Sequence, residues 1–98
     1  MARVEFADSV AGDFERILDF LLKNNVADAA TQIDQLIDAL SVLEHSPHIG
    51  RPVGRNLREL VIGKRARAYM ALYRYVAPAD VVLVLAVRSQ REAGYSGP

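Results

Sequence analysis

The sequence predicts an α+β domain of two layers: an N-terminal strand, an antiparallel helix hairpin, then a three-stranded antiparallel meander. Three observations carry this expectation. Between residues 10 and 43, apolar side chains recur at spacings of three and four, the period of a helix face. Between residues 57 and 88, three short apolar runs rich in Val, Leu and Tyr are parted by turn residues. Between them, residues 47–54 crowd two prolines and two glycines into eight positions. Ninety-eight residues suffice for one domain, spanning 1–98.

Arg3-Val4-Glu5-Phe6 alternates as a half-buried strand does. Asp8 or Ser9 is placed to accept from free backbone N–H groups at a helix start. Val10, Phe14, Ile17, Leu18 and Leu21 share one helical face, with Asp13, Arg16, Asp19 and Lys23 outside it. Asn24-Asn25 ends this helix, since Asn tolerates left-handed geometry. A second helix runs from about Asp28 to Glu44 with Ala30, Ile33, Leu36, Ile37, Leu40 and Leu43 as its apolar stripe, and Pro47 stops it. The short link makes the two helices an antiparallel hairpin.

The connector 47–54 is expected to hold no regular element. Leu57 to Ile62 reads as a strand, Gly63 to Ala66 as a turn, and Arg67 to Val76 as the next strand. A turn at Pro78-Ala79-Asp80 leads to the last strand, Val81 to Arg88. In that strand strict alternation puts Val82, Val84 and Ala86 on one face and Val81, Leu83, Leu85 and Val87 on the other. Both faces are apolar, and the helix hairpin covers only one. The other requires the C-terminal tail, a twin subunit or a partner.

A net charge of zero hides a strong asymmetry. Residues 1–50 carry nine acids against three bases, a balance of −6; residues 51–74 carry seven bases against Glu59 alone, a balance of +6. This is either a basic face for an anionic partner or internal neutralisation between acidic helices and basic strands. Cysteine is absent, which excludes disulfide and thiolate chemistry. The longest apolar run, Val81 to Val87, is too short to span a bilayer. With no secretory leader at the N-terminus, a cytoplasmic location without membrane contact is expected.

Little in the chain suggests metal or cofactor chemistry. His45 and His48 lie at a helix end without a cysteine or carboxylate set to complete a metal site. The glycines lack phosphate-loop spacing, and the serines have no partnering histidine. No metal and no cofactor are therefore expected. One basic and aromatic constellation remains: Arg65, Arg67, Arg88, Arg91 and Tyr95 at strand ends. Arginines hold phosphates and stabilise a phosphoryl transition state, and a tyrosine stacks on a base or handles a proton. The same residues also serve as cross-strand ion pairs and surface charge. Tyr69, Tyr73 and Tyr75 alternate along the middle strand beside Ala71, either as a stacking platform or as a core or partner-covered face.

The order of elements resembles the RelE/ParE superfamily of type II toxin–antitoxin toxins, and its ParE-like branch in particular. The resemblance rests on Pro-x-x-Gly-Arg-Pro at Pro47 to Pro52, Arg-Glu-Leu at 58–60, Tyr69 and Tyr73 in the middle strand, and Arg-x-x-Arg-Glu-x-x-Tyr from Arg88 to Tyr95. It implies the RelE/ParE-like fold and a toxin that inhibits DNA gyrase and blocks replication. It also implies a cognate ParD-like antitoxin, commonly a ribbon-helix-helix dimer with a tail that folds on the toxin. DNA is then met only through antitoxin or gyrase. Arg65, Arg67, Arg88, Arg91 and Tyr95 become target-binding residues, and Phe14, Leu18, Leu21, Tyr69 and Tyr73 antitoxin-binding ones. The RelE-like alternative is a metal-independent, ribosome-dependent mRNA endonuclease using the same five basic and aromatic residues for catalysis. A third is an interaction module without toxicity. Ser89 stands where many close relatives carry His, and Lys23 and Lys64 are the only lysines; both departures favour the gyrase reading.

Overall fold

The structure, a computed structural model, describes residues 1–64, 67–92 and 94–95. Strand β1 (Arg3–Phe6) leads into helix α1 (Ser9–Lys23) and helix α2 (Ala29–Leu40), which continues as a 3₁₀ turn over Ser41–Glu44. Strands β2 (Arg51–Gly54), β3 (Leu57–Ile62), β4 (Tyr69–Val76) and β5 (Val81–Ser89) follow. The sheet has five strands in the order β1-β5-β4-β3-β2, with β1 parallel to β5 and the other pairs antiparallel. The α+β class and the meander stand as expected.

The connector departs from expectation. Residues 51–54 form an edge strand paired with β3, Arg51 opposite Glu59. Pro52 is tolerated because an edge strand needs no donor on its outer side, and the register shifts between Pro52 and Gly54. Asn56 closes the β2–β3 turn at φ 57. Strand β4 begins at Tyr69, two residues later than expected, and the last turn of the second helix is 3₁₀. Neither Asp8 nor Ser9 caps α1; the Ser9 hydroxyl donates instead to the Leu85 carbonyl at 3.2 Å. Asn25 ends the first helix at φ 54, as the sequence suggested.

The core lies between the helices and one face of the sheet. Ile17, Leu21, Leu36, Leu40 and Leu43 are buried there with Ala71, Tyr73, Val82, Val84 and Val87; Phe14, Leu18 and Ile33 pack around them half-buried. In α2 the buried alanine is Ala29 rather than Ala30, and Ile37 faces outward. Val87 joins Val82 and Val84 in the core because β5 does not alternate strictly. Leu72 pairs with Ala86 but Tyr73 with Val84, so Leu85 is an extra residue and the side chains beyond it swap faces. No helix among the described residues is long and apolar enough to cross a membrane.

Candidate functional site

The α1 helix leans over β5 and leaves the helix-side face of β4 open near its start. A groove of about 600 Å³ results. Its apolar walls include Ile17, Phe20, Leu21, Val26, Ala68 and Tyr69, and its rim carries Arg16, Arg67, Arg91 and Glu92. Phe20 lines this space with 43% of its surface exposed, outside the core stripe of its helix. Burial pushes the Tyr69 hydroxyl above the ordinary tyrosine range, partly offset by the Arg91 charge.

The groove's inner wall is held by polar contacts that sequence periodicity did not reveal. Asp13 is only 3% exposed. Its carboxylate accepts the Val87 N–H at 2.9 Å and the Arg16 guanidinium at 2.7 Å. Arg16 also donates to both oxygens of Glu92, at 2.6 and 3.2 Å, and to the Val87 carbonyl at 3.1 Å. Hydrogen bonding to Glu92 raises the Arg16 pKa, against the opposing effect of burial. Burial pushes the Glu92 carboxyl up, but hydrogen bonds from Arg16 and the Ser89 N–H, with the Arg16 charge, bring it below the ordinary range. On sequence alone Asp13 and Arg16 are polar residues outside the apolar stripe; the readable signal is their three-residue spacing, which joins opposite charges on one helix face.

The opposite face of the sheet carries the second cluster. Beyond Ser89 the chain returns across this face, and the Tyr95 hydroxyl donates to Glu59 at 2.6 Å. Arg51 donates to the other Glu59 oxygen at 2.6 Å, and the Arg88 guanidinium lies 5.0 Å from the Tyr95 ring centroid. Burial raises the Glu59 pKa, yet the hydrogen bonds from Tyr95 and Arg51 and the nearby Arg51 and Arg88 charges reverse this and hold it below the ordinary range. Burial and the hydrogen bond to Glu59 push the Tyr95 phenol far above its usual range, so it remains a proton donor. On this face, where Tyr95 of the tail meets Glu59 and Arg88, Met70 and Ala86 are buried at 6% and 8% exposure.

The five basic and aromatic residues singled out in the sequence do not meet at one point. Arg67 and Arg91 rim the groove on the helix side, Arg88 and Tyr95 lie on the other face of the sheet, and Arg65 falls outside the described residues. Among the five apolar and aromatic candidates, Leu21 and Tyr69 line the groove. Phe14 stacks edge-on against Phe6, with ring centroids 6.3 Å apart, and Leu18 is half-buried against the core. Tyr73 is wholly buried, its hydroxyl accepting the Gly50 N–H at 2.8 Å, so its ring has no free surface.

This fold of helix hairpin on a mixed five-stranded sheet is that of small bacterial toxins. The isolated E. coli RelE toxin superposes with a TM-score of 0.66 at 17% identity, over 95% of this chain and 88% of that one. RelE in the intact E. coli RelBE toxin–antitoxin complex gives 0.65 at 18% identity, over 94% and 100%. An E. coli RelE variant bound to an antitoxin RelB peptide gives 0.63 at 18%, over 94% and 85%. At such identities the likeness establishes the fold. No curated protein matches by sequence. The family model for the ParE toxin of the type II toxin–antitoxin system parDE matches residues 4–94. The chain belongs to that family, and is a type II toxin of the RelE/ParE superfamily.

Proposed function

We propose that this toxin inhibits DNA gyrase, blocking replication, and that a cognate ParD-like antitoxin of ribbon-helix-helix type neutralises it. One observation carries the preference over RNA cleavage: the separation of the basic and aromatic residues. In-line cleavage of RNA needs a base or acid and a phosphate clamp around one scissile phosphorus. Here the Tyr95 hydroxyl donates a hydrogen bond to Glu59 on one face of the sheet while Arg67 and Arg91 rim the groove on the other. Such a layout suits docking on a large target better than catalysis at one atom. The match to the ParE family points the same way.

In this reading the antitoxin tail lays an apolar segment along the groove, against Phe20, Leu21 and Tyr69, with acidic groups toward Arg67 and Arg91. Its binding raises the melting temperature, because it stabilises the folded toxin alone. Arg67, Arg88, Arg91 and Tyr95 form the target-binding surface, with Arg65 beside them in sequence. The deciding experiment runs purified toxin in parallel on gyrase supercoiling and on translating ribosomes. Loss of supercoiling with intact messenger RNA is expected; codon-positioned cleavage with normal supercoiling would overturn the proposal in favour of the endonuclease.

A further inference from the structure

We propose that Arg16 is a positioning residue for the target-binding segment 88–95, acting through Glu92 rather than by touching a target. The inference rests on the reading above, in which that segment docks on the toxin's target. The argument begins at an edge the sheet leaves unfinished. Strand β1 pairs with β5 only as far as Phe6 opposite Val84. The Ala7 N–H still reaches the Val84 carbonyl at 2.9 Å, and there the neighbouring strand ends. Beyond it the backbone groups of β5 need other partners.

Helix α1 supplies them from one stripe. Ser9, Asp13 and Arg16 stand four and three residues apart and so share a helix face. The Ser9 hydroxyl donates to the Leu85 carbonyl, the Asp13 carboxylate accepts from the Val87 N–H, and Arg16 donates to the Val87 carbonyl. Three side chains thereby do what a strand would do. Arg16 reaches further. Its two-pronged contact with Glu92 holds the carboxylate that also accepts the Ser89 N–H at 2.8 Å, while the Gln90 N–H is tied to the Ala68 carbonyl at 2.8 Å. The turn after β5 is therefore fixed from the α1 side. It is this turn that sends Arg91 to the groove and carries the chain on to Tyr95 on the opposite face.

The test compares Arg16→Met, Glu92→Ala, the double variant and the milder Arg16→Lys in the full chain, by amide hydrogen exchange and by inhibition of gyrase supercoiling. Losing a charge-assisted contact of this kind is expected to speed exchange at the Ser89 amide by about tenfold or more in either single variant, with Ala71 in the middle of β4 unchanged. Potency against gyrase falls by about tenfold, and the double variant is no weaker than the weaker single, because both break the Arg16–Glu92 contact. Arg16→Lys, which keeps the charge but not the fork, falls between and serves if Arg16→Met fails to fold. Unchanged Ser89 exchange in Arg16→Met or Arg16→Lys would overturn the proposal. So would a double variant whose loss is the product of the singles, which marks direct target contacts. If wild-type protein leaves gyrase untouched while Ser89 exchange responds, the gyrase target falls and the positioning stands. Faster exchange at Ser89 with full potency removes the positioning role and leaves the target.

Discussion

Tyr95 donates its hydroxyl to Glu59 at 2.6 Å across the face of the sheet that the helices leave bare. Glu59 is 6% exposed, an ionised group kept inside by two donors. Removing one leaves the carboxylate short of a partner where water reaches it poorly. Tyr95→Phe is expected to cost about 1–2 kcal/mol in denaturant unfolding, the lower range for a hydrogen bond to a charged group, because the ring itself is partly exposed. A variant as stable as wild type would show that the tail does not rest on the sheet in solution.

Glu59 and Glu92 are expected to make the fold sensitive to acid. Glu59 and Glu92 both have folded pKa values below the ordinary 4.5. A carboxyl whose pKa is depressed by folding contributes stability above its unfolded pKa, and that contribution is lost as pH falls through the folded value. The melting temperature should therefore hold near neutrality and drop as pH falls below about 4.5, where the unfolded chain takes up protons first. Glu59→Gln and Glu92→Gln should each flatten this slope while lowering stability at neutral pH. A pH profile identical to wild type in both variants would show that these pairs do not form.

Gly50 sits against Tyr73 so closely that a Cβ there would lie 2.7 Å from the ring and from its hydroxyl, and 2.9 Å from the Glu59 carbonyl. Neither neighbour has room to move: Tyr73 is fully buried and the carbonyl is sheet backbone. Gly50→Ala should cost about 1–3 kcal/mol through overpacking. Gly54 is the control, since its Cβ would meet only Leu57 at 3.6 Å; Gly54→Ala should change stability by about 0.5 kcal/mol or less. Equal losses at both positions would mean that the Tyr73 contact is not responsible, since the entropy effect of Gly→Ala on the unfolded chain is stabilising.

That pair also shows where the sequence was legible. Tyr69, Tyr73 and Tyr75 alternate, and the structure does turn all three toward the helices, because β4 keeps its register along that face. The helix stripes were readable for the same reason: apolar spacing reports burial directly. Gly50 read only as a breaker, since a close approach between residues 50 and 73 leaves no local pattern. Strand β2 was hidden by Pro52 and Gly54, whose tolerance depends on lying at an edge. The bulge at Leu85 leaves no mark in a run where every residue is apolar, so strict alternation places Val87 on the face opposite to the one it occupies. At the site, composition found the arginines, but not that the sheet divides them. The Asp13–Arg16 pair is readable from its spacing, but its ties to Val87 and Glu92 are not, because those partners lie more than 70 residues away.

The groove rim offers the last test. Arg67 and Arg91 are exposed and line one groove, so reversing their charge should barely touch the fold: Arg67→Glu with Arg91→Glu is expected to change stability by about 0.5 kcal/mol or less per site. Their effect on partners should be large, because like charges facing across an interface repel and slow encounter. Inhibition of gyrase by the double variant should weaken by about tenfold or more, and more so at low ionic strength, where the Debye length is longest. Antitoxin carrying acidic groups along the same rim should also bind less tightly, whereas an antitoxin held only by the apolar walls should be indifferent. Supercoiling blocked as strongly by the variant as by wild type would take Arg67 and Arg91 out of the target surface and leave the open sheet face, with Arg88 and Tyr95, as the place where the target docks.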